Sequence, residues 1–216
     1  MQAKLLLVTP PFTQLNTAYP ATAYLKGFLE EHDVSISHCD LSIELFTTIF
    51  TGEFLASIIQ EAEDLGNDVY PTVREMKELY ISRVDQVIAF LQKSDFETAN
   101  IILEPSFLPI GHRLVNVNTE IKWEEGEIGV IDKAKHYSTL FIEEIGDFIH
   151  ANVDEFFAFT KYAEQIATSA SSFDQLDEFL TYQPTLIEDE MLNILEEQIK
   201  THTPNLIGFT IPFPGN

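Results

Sequence analysis

The chain has one cysteine, Cys39, in 216 residues. A single thiol cannot pair within the chain, which excludes a disulfide scaffold. Nor can it supply the several thiolates of a cysteine-rich zinc module, or of an iron–sulfur cluster held wholly by this chain. Positive charge is equally scarce: 12 Lys and Arg stand against 35 Asp and Glu, a formal net charge of −23. Nucleic-acid binders neutralise phosphates with Lys and Arg, so no nucleic-acid partner is expected. No run reaches the about 20 apolar residues of a membrane-spanning helix. The N-terminal run Leu5-Leu6-Leu7-Val8 is halted by Thr9-Pro10-Pro11 before it could serve as a signal peptide, so the cytoplasm is the expected compartment. Gly-x-Gly-x-x-Gly, Gly-x-Ser-x-Gly and His-Glu-x-x-His are all missing, and no phosphate loop is present.

What is present can fold. The hydrophobic fraction is 45%, with 17 Phe, enough to bury a core and unlike an acidic disordered tail. Leu5–Val8 is a continuous apolar run too short for a helix core, and reads as a strand buried on both faces. In Ala21–His32 the residues Tyr24, Leu25, Phe28 and Leu29 recur at helical spacing, opposite Lys26, Glu30 and Glu31. Val34-Ser35-Ile36-Ser37 alternates as a strand does and ends near Asp40. Strand, helix, strand is the opening of a βαβ unit.

The middle reads as helical. Ser42 is placed to cap a helix carrying Leu45, Phe46, Ile49 and Phe50. Phe54, Leu55, Ile58 and Ile59 follow Gly52, and Thr72 with Glu75 has the spacing of a capping box. Met76, Leu79, Tyr80, Val84, Val87, Ile88 and Leu91 continue at three- and four-residue steps. Leu114–Asn118 and Ile121–Trp123 alternate like short strands. Helical periodicity resumes near Ala134 and takes in Phe141, Ile145, Phe148, Phe156, Phe157 and Phe159. Further helices fit Phe173–Leu180 and Ile187–Lys200. The acidic pair Glu143 and Glu144 misses the Glu-x-x-His step of helix-bundle metal sites and reads as a solvated face. No catalytic residue and no metal ligand is assigned.

Leu206–Ile211 is a second buried-type strand, followed by Pro212-Phe213-Pro214-Gly215-Asn216. In an open α/β sheet the loops at the carboxyl ends of the strands meet ligands. The candidate site is therefore Thr9, Pro10, Pro11 and Phe12 after the first strand, Asp40 at the end of the second, and Pro212, Phe213, Pro214, Gly215 and Asn216 after the third. Proline fixes φ and removes donors, so these loops suit a large flat ligand or a neighbouring domain better than a phosphate. The plainer alternatives are that the prolines only end strands and that Asp40 caps the next helix. A domain that stops on such a loop reads as the N-terminal piece of a longer protein.

A leading strand ending in Pro10-Pro11, a helix near Tyr24-Leu25, a strand ending in Asp40-Leu41, and the closing Pro204–Asn216 segment carry a family resemblance. The ordered set resembles the cobalamin-binding-type domain that precedes the catalytic barrel of many radical S-adenosylmethionine proteins, the Fe–S oxidoreductases. The resemblance implies a partial doubly wound α/β fold, flavodoxin-like or Rossmann-like, with a large mainly helical insertion. Residues 1–52 would be the first βαβ part, 53–186 the insertion, and 187–216 the helix and third strand returning to the sheet. The implied function is that of an accessory domain with cobalamin as its possible ligand and the C-terminal barrel as its partner. A [4Fe–4S] cluster and S-adenosylmethionine would belong to that barrel. The sequence departs from the pattern in two ways. None of the six histidines lies in Asp-x-His-x-x-Gly, and no Cys-x-x-x-Cys-x-x-Cys is present. The alternative from a different class is an acidic, mostly helical interaction module steered by its charge to a basic partner.

Overall fold

A computed structural model describes residues 3–12, 15, 20–32, 34–117, 121–159 and 183–210. The fold is α/β, mostly helical, with a small parallel sheet. It divides into two compact units, one made of Met1–Phe46 with Phe159–Asn216, the other of Thr47–Ala158.

The first unit holds the sheet. Its strands are β1 (Lys4–Thr9), β2 (Ser35–Asp40) and β3 (Leu206–Phe209), in the order β2-β1-β3, with both pairings parallel. The central place of β1 explains its uninterrupted apolar run, since a middle strand is covered on both faces. Helix α1 (Ala21–Glu30) lies against β2, and α9 (Leu186–His202) supplies Met191, Ile194, Leu195 and Ile199 to a cluster with Leu6, Val8, Cys39 and Leu41. Register puts Val8 beside both Cys39 and Phe209, so these three share one face. A capping box opens α9: the Thr185 hydroxyl accepts from the Glu188 amide, and the Glu188 carboxylate accepts from the Thr185 amide. The apolar stripe of α1 does not enter the core as its spacing suggests. Tyr24 and Phe28 are 79% and 60% exposed, on a helix that packs mainly against β2, an outer strand of the sheet among the described residues.

Helix α2 (Leu41–Ile49) carries the chain into the second unit. There follow α3 (Gly52–Leu65), α4 (Pro71–Glu75), α5 (Lys77–Lys93), α6 (Phe96–Ile102), α7 (His112–Val115) and α8 (Glu127–Asn152). Thr51 caps α3 by accepting from the Phe54 amide, and Gly66 ends it in the left-handed region at φ 74°. At Gly52 the helix nears α5: an added Cβ would stand 2.7 Å from the Ile81 carbonyl oxygen. Tyr80, Val84, Val87 and Phe90 of α5 and Phe141, Ile145, Phe148 and Ile149 of α8 are fully buried or nearly so, as their helical spacing implies.

Several sequence expectations change here. The closing strand, expected over Leu206–Ile211 and of the buried type, is β3 at Leu206–Phe209, with Leu206 and Phe209 exposed. Leu114 and Val115 belong to the short helix α7, not to a strand, and Ile121–Trp123 has no regular structure. Thr72 forms no capping box, since α4 starts at Pro71 behind Tyr70 and has no side-chain cap. Helix α8 ends at Asn152, so Phe156, Phe157 and Phe159 follow it in irregular chain; Phe157 is buried there and Phe156 exposed. The expected helix Phe173–Leu180 lies outside the described residues. No single described helix is long and apolar enough to cross a membrane; α2 and α3 pass that test only as a bent pair.

Candidate functional site

The parallel register brings the carboxyl ends of all three strands to one edge of the sheet. Thr9 and Asp40 are direct neighbours across the β1–β2 ladder. On the other side the Thr210 amide donates to the Val8 carbonyl at 2.9 Å, which carries the β1–β3 pairing one residue past β3. The edge therefore gathers Thr9, Pro10, Asp40 and Thr210. Thr9 is buried and Asp40 half-buried. The Asp40 Oδ1 accepts from the amides of Ser42 and Ile43, at 3.0 and 3.3 Å, and so caps α2. Phe12 faces Phe159 edge-on, with ring centroids 6.0 Å apart, and Phe159 meets Phe46 in the same manner at 6.1 Å. Pro212, Phe213, Pro214, Gly215 and Asn216 lie outside the described residues.

Cys39 sits just below this edge and is buried. Burial first, then the nearby Glu44 carboxylate, pushes its thiol up to about 12. A thiol held protonated is neither nucleophile nor metal ligand. Glu44 itself accepts from the Gln198 side-chain amide of α9 at 2.8 Å. Among the described residues no group of three or more His, Cys, Asp or Glu is placed to hold a metal ion.

The second unit contains a buried polar cluster that the sequence reading passed over. Glu144 of α8, expected on a solvated face, is fully buried. Its Oε1 accepts from the Tyr80 hydroxyl at 2.8 Å and from the His112 amide at 3.1 Å. Its Oε2 and the His112 Nδ1 are buried with no hydrogen-bond partner among the described residues. The other ring nitrogen, His112 Nε2, lies 2.8 Å from Asp147 Oδ2, and the ring stacks on Tyr70 with centroids 4.2 Å apart. Arg113 forks across Asp147 through Nε and Nη2 and reaches Glu143 through Nη1.

Environment sets the charges of this cluster. Burial works against an ionised Asp147, but its bonds from Arg113 and His112 outweigh that and hold its carboxyl below the usual range. The Arg113 guanidinium is pushed the other way, held more firmly protonated by Asp147 above all. Burial, then the Glu144 carboxylate, drives the Tyr80 phenol well above its ordinary value. Gly111 makes room for this arrangement: a Cβ there would fall within the Glu144 carboxylate, 1.3 Å from Oε1. One sequence signal could have found the cluster. Glu144 falls between Phe141, Ile145 and Phe148 on the apolar arc of α8, where a charge needs a partner.

Neither the protein-family models, nor the curated proteins, nor the solved structures contain a match to this chain.

Proposed function

We propose that the chain is the N-terminal, cobalamin-binding-type accessory domain of a radical S-adenosylmethionine protein, with a flavodoxin-like sheet interrupted by a helical insertion. On this reading it presents a ligand-facing sheet edge to the parent enzyme and does not carry the catalytic centre. The observation that supports it is the parallel order β2-β1-β3. Flavodoxin-like sheets begin in that order, with the ligand crevice at the β1/β3 switch point outside the strand ends. On this reading Thr9, Pro10 and Thr210, at the carboxyl ends of β1 and β3, would line that crevice, with Asp40 one strand away.

The residues fit the implied cofactors unequally. A [4Fe–4S] cluster does not fit this chain: its only cysteine is buried and its thiol is held protonated. On this reading the cluster and S-adenosylmethionine belong to the barrel. For cobalamin, an axial protein histidine does not fit. No histidine stands in the required motif or among Thr9, Pro10, Asp40 and Thr210. Any hold on a corrin would come from the shape of the edge and from the half-buried Asp40 carboxylate.

The test has two arms. Sequencing the gene past codon 216 should reveal Cys-x-x-x-Cys-x-x-Cys; its absence would sink the assignment to a radical enzyme. Titrating the full gene product with cobalamin should perturb the visible absorption of the corrin, less so in Asp40→Ala. A flat titration removes cobalamin from the reading.

A further inference from the structure

The segment that carries His112 and Arg113 is held largely by polar contacts. Pro109, Phe107 and Leu108 before it are buried. From Ile110 onward apolar anchoring weakens: Ile110 is 62% exposed and Val115 67% exposed, Leu114 and Val117 are only half-buried, and α7 has no buried residue. Its internal bonds are self-contained, with the Val115 amide donating to Gly111, the Val117 amide to Leu114 and the Asn116 side chain to His112. The polar contacts that hold it to α8 are Arg113 on Glu143 and Asp147, His112 on Asp147 and, through Nδ1 at 3.5 Å, on Glu144, and the His112 amide on Glu144. Segments with little buried apolar surface open locally at lower free energy than the core around them.

We propose that residues 110–117 form a strap, hinged at Pro109 and closed by Arg113 over the Glu144–Tyr80 pair, which opens as a unit while α5 and α8 stay folded. Opening withdraws the His112 amide from Glu144 Oε1 and lifts Gly111 from the carboxylate, so that a buried acid and a buried phenol are exposed to water. The groups facing the strap are Glu143, Glu144 and Asp147 from α8, Tyr80 from α5, and Tyr70 from the turn before α4. Closure is therefore electrostatic: one guanidinium spans two carboxylates. The inference does not depend on the reading of the sheet edge.

Hydrogen exchange on the full 216-residue chain tests it, with Arg113→Ala, Arg113→Lys and Asp147→Asn beside the parent. Losing a hydrogen-bonded ion pair shifts a local opening equilibrium about tenfold or more. The amides of residues 112–117 should exchange at least about tenfold faster in Arg113→Ala and Asp147→Asn. Arg113→Lys, which keeps charge but loses the fork, should fall between. Amides of Val84–Phe90 and Phe141–Ile149 should keep their parental rates. The strap is overturned if those core amides accelerate in step with it, because opening is then only global unfolding. It is equally overturned if residues 112–117 exchange alike in all four proteins. Asp147→Asn, which preserves shape, keeps the test decisive if Arg113→Ala fails to fold.

Discussion

The two units differ in what they bury beside their apolar cores. The sheet unit places an uncharged core around Leu6, Val8, Cys39 and Leu41, yet leaves Tyr24, Phe28, Leu206 and Phe209 exposed. The helical unit buries its large apolar side chains on α3, α5 and α8, and with them a carboxylate, Glu144. Apolar surface on an outer strand is cheap to leave and simple to cover later, whereas a buried acid must have its partners in place as the helices close. The comparison predicts that substitutions of similar size will have very unequal effects in the two units.

Phe141→Ala should have the largest. The ring is fully buried and stacks on Tyr80 with centroids 5.3 Å apart. Removing it should cost about 3–5 kcal/mol, read from urea unfolding of the helical unit by exchange-detected populations. A loss under about 1 kcal/mol would mean the cavity collapses and the core is looser than its burial implies. Glu144→Ala should come next, at about 2–4 kcal/mol, because it strands the Tyr80 hydroxyl and the His112 amide. Glu144→Leu separates polarity from volume: if it costs no less than Ala, the stranded donors dominate rather than the hole.

This contrast also divides what the sequence reveals from what it hides. The apolar run of β1 and the spacing of α5 and α8 report burial directly, so the parallel strands and main helices are legible. The α1 stripe misleads because amphipathicity records which face is apolar, not whether a neighbour arrives to cover it. The alternation that begins at Leu114 misleads because so short a run fits a helical turn as well as a strand, and Leu114 and Val115 close the turn that His112 and Arg113 open. Thr9, Asp40 and the end of β3 are legible as one edge, since parallel strands align their carboxyl ends. The Glu144 cluster is not, because its partners come from α5, α7 and the segment before α4, and one sequence does not show which residues meet across 64 positions, as Tyr80 and Glu144 do.

The acid response should belong to the helical unit. Asp147 has a folded pKa below its unfolded value, so its contribution is fully present above the ordinary Asp value of about 3.9. It is lost as pH falls through the lower, folded value. Asp147 is partly exposed, so solvent screening keeps the effect modest. Asp147→Asn should flatten this limb of the pH–stability curve and leave its shape above about pH 6 unchanged. An identical acid limb in the variant would show that other carboxylates set it. In alkali the sign reverses. The Tyr80 phenol is raised in the fold, so its contribution holds below the ordinary value of about 10 and fades as pH rises. Absorption at the phenolate band should show a late alkaline phase from Tyr80, which Tyr80→Phe removes.

The smallest effect should come from the sheet unit. Phe209 lies on β3, with the same residue type as Phe141 but 54% of its surface exposed. Its neighbour on the ladder is Val8, which is already covered on that face by α9. Phe209→Ala should therefore cost under about 1 kcal/mol, since half the transfer energy is never gained and no closed cavity forms. Its main effect should be on association. β3 has an outer edge unpaired among the described residues, and Leu206–Phe209 carries no charge to discourage pairing. Light scattering at rising concentration should show less self-association for Phe209→Ala, and less again with Leu206→Lys added. If Phe209→Ala instead destabilises as much as Phe141→Ala does, its ring is buried in solution and the contrast between the two units fails at its sharpest point.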